Sequence, residues 1–350
     1  MQGLRHPLES PPAPGEAIEI AEGILWMRLP LPMALDHVNV YALDDGAGWT
    51  LVDTGMMTRK TIALWEALLA GPLVGKPVTR LIVTHHHPDH IGLAGWFQAR
   101  GVELVITRTA WLLARMLVLD VQETPPPESL RFYQRAGVTG DDLAARSAQR
   151  PFNFADCVAP LPLGFTRLSE TEVIHAGGRR WCVRIGQGHA PDHATLWSLD
   201  DPLILGGDQL LPGISANIGV YPTEPEADPL GDWLDSTRAF MGLSTDDHLV
   251  LPGHKLPFTG LPFRLVQMEE NHLTALARLQ DHLAESRRAA DCFAPLFRRD
   301  IGEDQFGLAL VEAVAHLNHL LRQGAISRFL DAQGAWLWQA GKGGADADRR

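Results

Sequence analysis

The sequence predicts an α/β fold with a smaller helical domain at its C-terminal end, and three observations carry that reading. Short apolar runs of strand character alternate with amphipathic stretches from Ile18 to His254. Clusters rich in Gly, Pro and Asp punctuate them as turns. After Lys255 the strands give way to long helical stripes. Composition agrees: 350 residues, 45% hydrophobic and 21% charged, supply a core and exclude a disordered chain.

Taken in order, residues 1–16 carry Pro7, Pro11, Pro12 and Pro14 and read as a loose arm. IEIAEGILWMRL, HVNVYAL and WTLVDTG read as strands, the last two joined by DDGAG, a hairpin-type turn. Ile62, Leu64, Trp65, Leu68 and Leu69 recur at helical spacing within Arg59–Ala70. RLIVT is a short buried strand, IGLAGWFQARG a helix stopped by Gly101, and VELVIT the next strand. The stretch 109–169 breaks the rhythm with an apolar helix (TAWLLARMLVL) and Pro-rich loops, which predicts a lid-like insertion. Strands resume at EVIHA, RRWCVRIG, ATLWSLD and LILGGD, then a helix at Pro229–Leu243 and a strand at HLVLPGH. Val266–Ala290 and Phe306–Arg322 read as helices, and AISRFL with AWLWQA as a hairpin, an order that predicts a winged-helix-like domain. The expected organisation is an arm over 1–16, a large domain over 17–260 containing the 109–169 insertion, a winged-helix-like domain over 261–340 and a tail over 341–350.

Thirty basic against 42 acidic residues give a net charge of −12, which opposes non-specific binding to nucleic acid or acidic membranes. No apolar run approaches the ~20 residues of a membrane span, and the N-terminus lacks the apolar stretch of a signal peptide. Cys157, Cys182 and Cys292 are few and odd in number, without CxxC spacing. The expectation is a cytoplasmic protein with no membrane contact.

The chemistry concentrates in THHHPDH, Thr84–His90. On extended backbone His85 and His87 point the same way and His86 elsewhere, while Asp89 and His90 follow a turn at Pro88. Imidazole and carboxylate are ligands for zinc and neighbouring divalent metals, and four such side chains in six residues do not pack as a core without partners. Three more candidates follow apolar runs and sit beside glycines: His189 in GHAPDH, Asp208 in LILGGD and His254 in LVLPGH.

DTG, HHHPDH, GHAPDH, GGD and PGH occur in this order, and on them the stretch Ile18–His254 resembles the metallo-β-lactamase superfamily. The resemblance implies an αββα four-layer sandwich. It also implies that His85, His87 and His189 bind one metal and that Asp89, His90 and His254 bind a second. Asp208 would bridge both, making Asp89 and Asp208 the catalytic carboxylates, and Asp53 of VDTG would steady the ligand loop. Seven ligands, two of them carboxylates, exceed one tetrahedral zinc and suit two ions. Two such ions can share a hydroxide whose parent water has its pKa lowered towards ~7. Zinc is the first expectation, with iron, manganese and nickel open because availability decides loading.

Ala190 and Asp192 depart from the family's more frequent GHTPGH. The Asp–His pair is similar to the branch containing lactamase-beta-2-type proteins, which makes His193 a candidate behind the ligands, with a structural histidine as the alternative. His272 resembles a pocket histidine of that branch. His37, His175, His248, His282, His316 and His319 carry no motif and read as surface or structural.

The bridging carboxylate argues against antibiotic hydrolysis, because true β-lactamases of this fold lack it. Glyoxalase II shares all seven ligands, so hydrolysis of a small ester or thioester fits, although the C-terminal region does not resemble the glutathione-binding helices of that enzyme. The winged-helix-like region resembles that of the lactamase-beta-2 branch, some of whose members cut single-stranded RNA. Acidic residues outnumber basic ones between Leu256 and Ala340, and Phe306–Arg322 carries Glu312 and a single terminal Arg. Such a domain is poorly equipped to bind phosphates and reads as structural or as a homodimer contact. The alternatives are a phosphodiesterase or endoribonuclease on single-stranded RNA and a mono-iron, persulfide-dioxygenase-like oxidoreductase; a metal-sensing, DNA-binding regulator is opposed by charge. The expected partner is a small-molecule substrate. No side chain stands out as the general acid for the leaving group.

Overall fold

The computed structural model describes residues 3–341, so Met1 and Gln2 of the expected arm and nearly all of the 341–350 tail lie outside the described residues. The chain divides into two compact units. The first takes the residues up to Val121 together with Phe152–Ala216 and Phe240–Leu265. The second takes Gln122–Pro151, Asn217–Ala239 and the chain from Val266 onward.

Two sheets make the first unit. Seven strands follow sequence order in one sheet: β1 (Ile18–Ala21), β2 (Ile24–Pro30), β3 (His37–Asp44), β4 (Trp49–Val52), β5 (Val78–Ile82), β6 (Glu103–Thr107) and β7 (Thr166–Leu168). β1 to β4 pair antiparallel across short turns, whereas β4 to β7 run parallel, as strands joined by longer crossovers must. The second sheet has the order β12–β11–β10–β9–β8, from β8 (Val173–Ala176), β9 (Arg179–Gly186), β10 (His193–Ser198), β11 (Leu203–Gly207) and β12 (Leu249–Pro252). Their inner faces share one core, in which Trp26, Leu43, Val52 and Ile82 meet Trp181, Val183, Leu196, Leu205 and Leu251. The outer face of the first sheet packs on α1 (Arg59–Ala70), α2 (Pro88–Ile91), α3 (Ala94–Gln98) and α4 (Arg108–Leu119), through Trp65, Leu68, Ile91, Phe97, Ala110 and Ala114. Behind the second sheet, Trp197, Ile204 and Val250 meet Phe240, Phe258, Leu261 and Leu265. These are the four αββα layers.

α1 has the bounds expected from its stripe: the Thr58 side chain accepts from Thr61 N–H at its start, and Gly71 ends it. Of the helix expected over IGLAGWFQARG only Ala94–Gln98 forms, as α3, and the helix breaks between it and α2, which ends at Ile91. A side chain on Gly92 would put its Cβ 2.4 Å from the carbonyl oxygen of Pro88 and 2.5 Å from that of Gly55. The next residue, Leu93, donates its N–H to Thr54 Oγ1, so the chain is tied across the break rather than continued as helix.

In the second unit lie α5 (Pro127–Arg135), α6 (Gly140–Ser147), most of α7 (Pro229–Met241) and of α8 (Leu261–His282), α9 (Phe293–Phe297), α10 (Phe306–Arg322) and a hairpin of β13 (Ile326–Leu330) with β14 (Trp336–Ala340). α8 begins a turn earlier than expected, with Pro262 in its first turn, and stops at His282 rather than Ala290. Its continuation leaves the helix because the Arg287 backbone exchanges both hydrogen bonds with Trp338 of the hairpin. Part of the stretch expected as a lid belongs to this unit: Ala290 N–H donates to the Ala136 carbonyl, and Gln134 Nε2 to the carbonyl of Gln333. Likewise Val220 N–H donates to Val311 of α10. Among the described residues no helix is long and apolar enough to cross a membrane.

Candidate metal centre

The site gathers at the C-terminal ends of strands, where loops leave a rigid frame. His85 and His87 leave β5, and α2 carries Asp89 and His90. His189 precedes β10, while Asp208 and His254 directly follow β11 and the end of β12. All seven residues implied by the resemblance converge. Ligand atoms of His85, His87 and His189 lie within 4.8 Å of one another, as do those of His85, His90 and Asp208 and those of Asp89, His90 and His254.

The distances resolve two groups with a common carboxylate. His87 Nδ1 lies 3.0 Å from both His85 Nε2 and His189 Nε2. Asp89 Oδ2 lies 3.5 Å from His90 Nε2 and 3.4 Å from His254 Nε2. Asp208 reaches both groups: one oxygen is 3.5 Å from His189 and 3.2 Å from His254, and the other 3.4 Å from His90. His86 turns away, as the strand period requires, and its ring lies parallel to Phe154 at 6.2 Å.

Three of the ligand histidines are aimed by a bond on the far side. His90 Nδ1–H donates to Asp53 Oδ2 at 2.8 Å, which aims Nε2 towards the centre. Asp53 also accepts from the N–H and hydroxyl of Thr84, locking the start of the histidine loop, and it does so from a left-handed backbone (φ 62°). His85 Nδ1 meets Thr84 Oγ1 at 3.0 Å, and His254 Nδ1–H donates to the His37 carbonyl at 2.7 Å. His193 lies behind the ligands: its ring stacks on His85 at 4.5 Å, and its Nε2 accepts the N–H of Asp208. Glycines make room. A Cβ on Gly253 would fall 2.2 Å from Asp208 Oδ1, and one on Gly207 2.5 Å from the His193 ring.

Electrostatics divide the site. Burial, reinforced by neighbouring imidazoles, holds His85 and His87 well below the usual histidine range and takes His193 down to about 3. Burial also opposes charge on His90 and His254, yet Asp208 and Asp89 outweigh it. They push His90 well above its ordinary value and His254 up to about 10. Asp208, buried, is itself held well below the carboxylate range by His254 and His90. The carboxylates thus favour positive charge beside them, while His85, His87 and His193 are held neutral.

A divalent ion fits this donor set. His90 Nε2 and Asp208 Oδ1 are buried without a hydrogen-bond partner and face each other at 3.4 Å, an arrangement that a proton alone leaves unsatisfied. Nitrogens about 2.0–2.1 Å from one tetrahedral ion stand roughly 3.4 Å apart, close to the spacings of the three-histidine group.

Of the other residues singled out by sequence, Asp53 and His193 both touch the ligand set. His272 lies in the second unit, buried beside His316 (3.4 Å between ring nitrogens) with Trp233 nearby. Sequence reasoning missed Thr84 and the His37 carbonyl. Thr84 stands immediately before the histidine run and was open to detection, but a backbone acceptor leaves no trace in residue type.

Comparison with known proteins places the chain in a family. A family model described as "Metallo-beta-lactamase superfamily" matches residues 33–254, and one described as "Metallo-beta-lactamase-like, C-terminal domain" matches 276–341. The chain is similar to a probable metallo-hydrolase of Bacillus subtilis, YqjP, with 27% identity over 88% of this chain and 95% of that protein. A crystal structure of a beta-lactamase domain protein from Burkholderia ambifaria is 33% identical over 97% of both chains, with a TM-score of 0.87. That of a metallo-beta-lactamase family protein from Thermus thermophilus is 25% identical over 92% of this chain and 100% of the other, with a TM-score of 0.77. With its fold, its ordered motifs and a family match over 33–254, the chain belongs to the metallo-beta-lactamase superfamily.

Proposed function

We propose that this protein is a metal-dependent hydrolase of a small ester or thioester, holding two divalent ions, zinc first among the candidates. His85, His87 and His189 would hold one ion, Asp89, His90 and His254 the other, and Asp208 both. The observation that carries the reading is the reach of Asp208 to His189 on one side and to His90 and His254 on the other. When bound, such ions supply Lewis acidity and a water acidic enough to act near neutral pH. The chain's own residues do the positioning. Asp53 and the His37 carbonyl fix the ring orientations of His90 and His254, so both aim Nε2 at the centre. His193 fixes the backbone of Asp208. A thiolate leaving group needs no general acid, which matches the lack of an obvious one.

The test is turnover of acyl-CoA and glutathione thioesters by protein of known metal content, read as released thiol. Turnover with two ions per chain, lost in Asp208→Ala, is the expected result. Two bound ions without turnover would move the reading to phosphodiesters or single-stranded RNA, and one bound iron to persulfide oxidation.

A further inference from the structure

Within the first unit a recess of about 530 Å³ opens beside the ligand-bearing segments. Its lining includes Arg28, His37, Lys255 and the Pro212–Ile214 loop, with Glu9 and His6 of the N-terminal arm. Three of these are tied to the metal ligands. Lys255 directly follows His254, His37 receives the Nδ1–H of His254, and Pro212 comes four residues after Asp208.

The walls are built rather than incidental. Arg264, 3% exposed, donates to the carbonyls of Leu211 and Ile214 and so holds the loop. Lys255 adopts a left-handed backbone (φ 69°), which costs a non-glycine residue free energy and persists only when its surroundings enforce it. Its N–H donates to His37 Nε2, and its carbonyl accepts from both Arg28 and Asn39. Arg28 spends one N–H there and another on Asn39 Oδ1. A guanidinium carries five, so among the described residues three of its donors make no hydrogen bond, on a fork already fixed in place. Asp36, which also lines the recess, points its carboxylate at His37 Nδ1 at 2.6 Å. The arm is pinned as well: His6 Nδ1–H donates to the Pro257 carbonyl, and Arg5 pairs with Thr259.

We propose that this recess is a subsite for an anionic group of the substrate, a carboxylate or a phosphate, bound by Arg28 and Lys255. The hydrolysed ester or thioester is then an acidic one, its charged end anchored beside His37 and Lys255, next in the chain to the ligand His254. A pre-positioned guanidinium and a lysine give charge-assisted bonds and select for charge in an otherwise acidic protein.

This inference rests on the hydrolase reading, and one experiment separates the two. Metal-loaded full-length protein is assayed with p-nitrophenyl acetate and with mono-p-nitrophenyl succinate, and binding of succinate and of inorganic phosphate is measured by calorimetry. Each measurement is repeated on Lys255→Gln and Lys255→Arg. The expected result is at least tenfold higher kcat/KM for the succinate ester, a fall of fivefold or more in that ratio in Lys255→Gln, and recovery in Lys255→Arg. Whichever of succinate and phosphate loses affinity in Lys255→Gln identifies the group recognised. An unchanged ratio together with unchanged affinities overturns the subsite while the hydrolase stands. Absence of turnover with both esters counts against the hydrolase reading, and the subsite is then decided by the titrations, where equal affinities in wild type and Lys255→Gln overturn it.

Discussion

The carboxylate of Asp53 lies 2.8 Å from His90 Nδ1 and, through its other oxygen, 2.8 Å from the backbone nitrogen of Thr84. One buried side chain therefore fixes both the start of the histidine loop and the orientation of a ligand on α2. Asp53→Ala should lower metal affinity by about 10–100-fold, the usual cost of losing such a supporting group. Competition against a chromophoric chelator would show it, and unaltered affinity would mean that His90 is held by its neighbours alone.

Gly253 has no room for a side chain, since a Cβ would stand 2.2 Å from Asp208 Oδ1 and 2.9 Å from the His90 ring. Gly253→Ala should displace Asp208 and lower stability by about 1–3 kcal/mol, the ordinary cost of overpacking. Metal content by elemental analysis and Tm should fall together in this variant.

Glu312, in α10, has its carboxyl pushed up to about 7 by burial, against the opposing hydrogen bond from Asn217. The folded state thus holds the proton more tightly than the unfolded chain, whose value is near 4.5. Stability from this group is complete below about 4.5 and is lost as pH rises through 7. Glu312→Gln should therefore be the more stable protein at pH 8, by about 2 kcal/mol after allowance for partial exposure. The difference should vanish near pH 4; denaturant titrations of both proteins at the two pH values would measure it.

His319 is buried in the second unit, with Nδ1 at 2.9 Å from Asp228 and Nε2 accepting from Gln323. His319→Ala should lower stability by about 1–3 kcal/mol, through the space left at a buried site and the bond lost to half-buried Asp228. Bound metal per chain should stay as in the wild type; a loss of metal would contradict a purely structural role.

Removing bound metal leaves His90 and His254 among buried carboxylates with only protons to neutralise them. Dialysis against a chelator should lower Tm by several degrees, and stoichiometric zinc should restore it. Equal melting curves with and without the ion would show that the seven residues do not hold it.

Much of this could be read from the residues because the signals are local. The stripes of Arg59–Ala70 and Phe306–Arg322 gave helices with the observed bounds, since each buries one face. The histidine run shows its ligand character through spacing, and the later ligands stand out by position beside glycine at strand ends. Other features were hidden because they depend on distant partners. The break at Gly92 follows from the Gly55 carbonyl, 37 residues earlier. The early end of α8 follows from pairing with Trp338, and the placement of α5 from contacts with Ala290 and Gln333.

Because each unit is woven from three separate stretches of chain, no single cut releases either one intact. A chain stopped after Leu265 would contain every implied metal ligand, yet it would carry 122–151 and 217–239 without α10 and the hairpin that give them a core. During synthesis the same two stretches leave the ribosome well before α10 and the hairpin do, so these partners reach them only later. Emergence of α10 and the hairpin, rather than of the last implied metal ligand, thus supplies what the second unit needs to close.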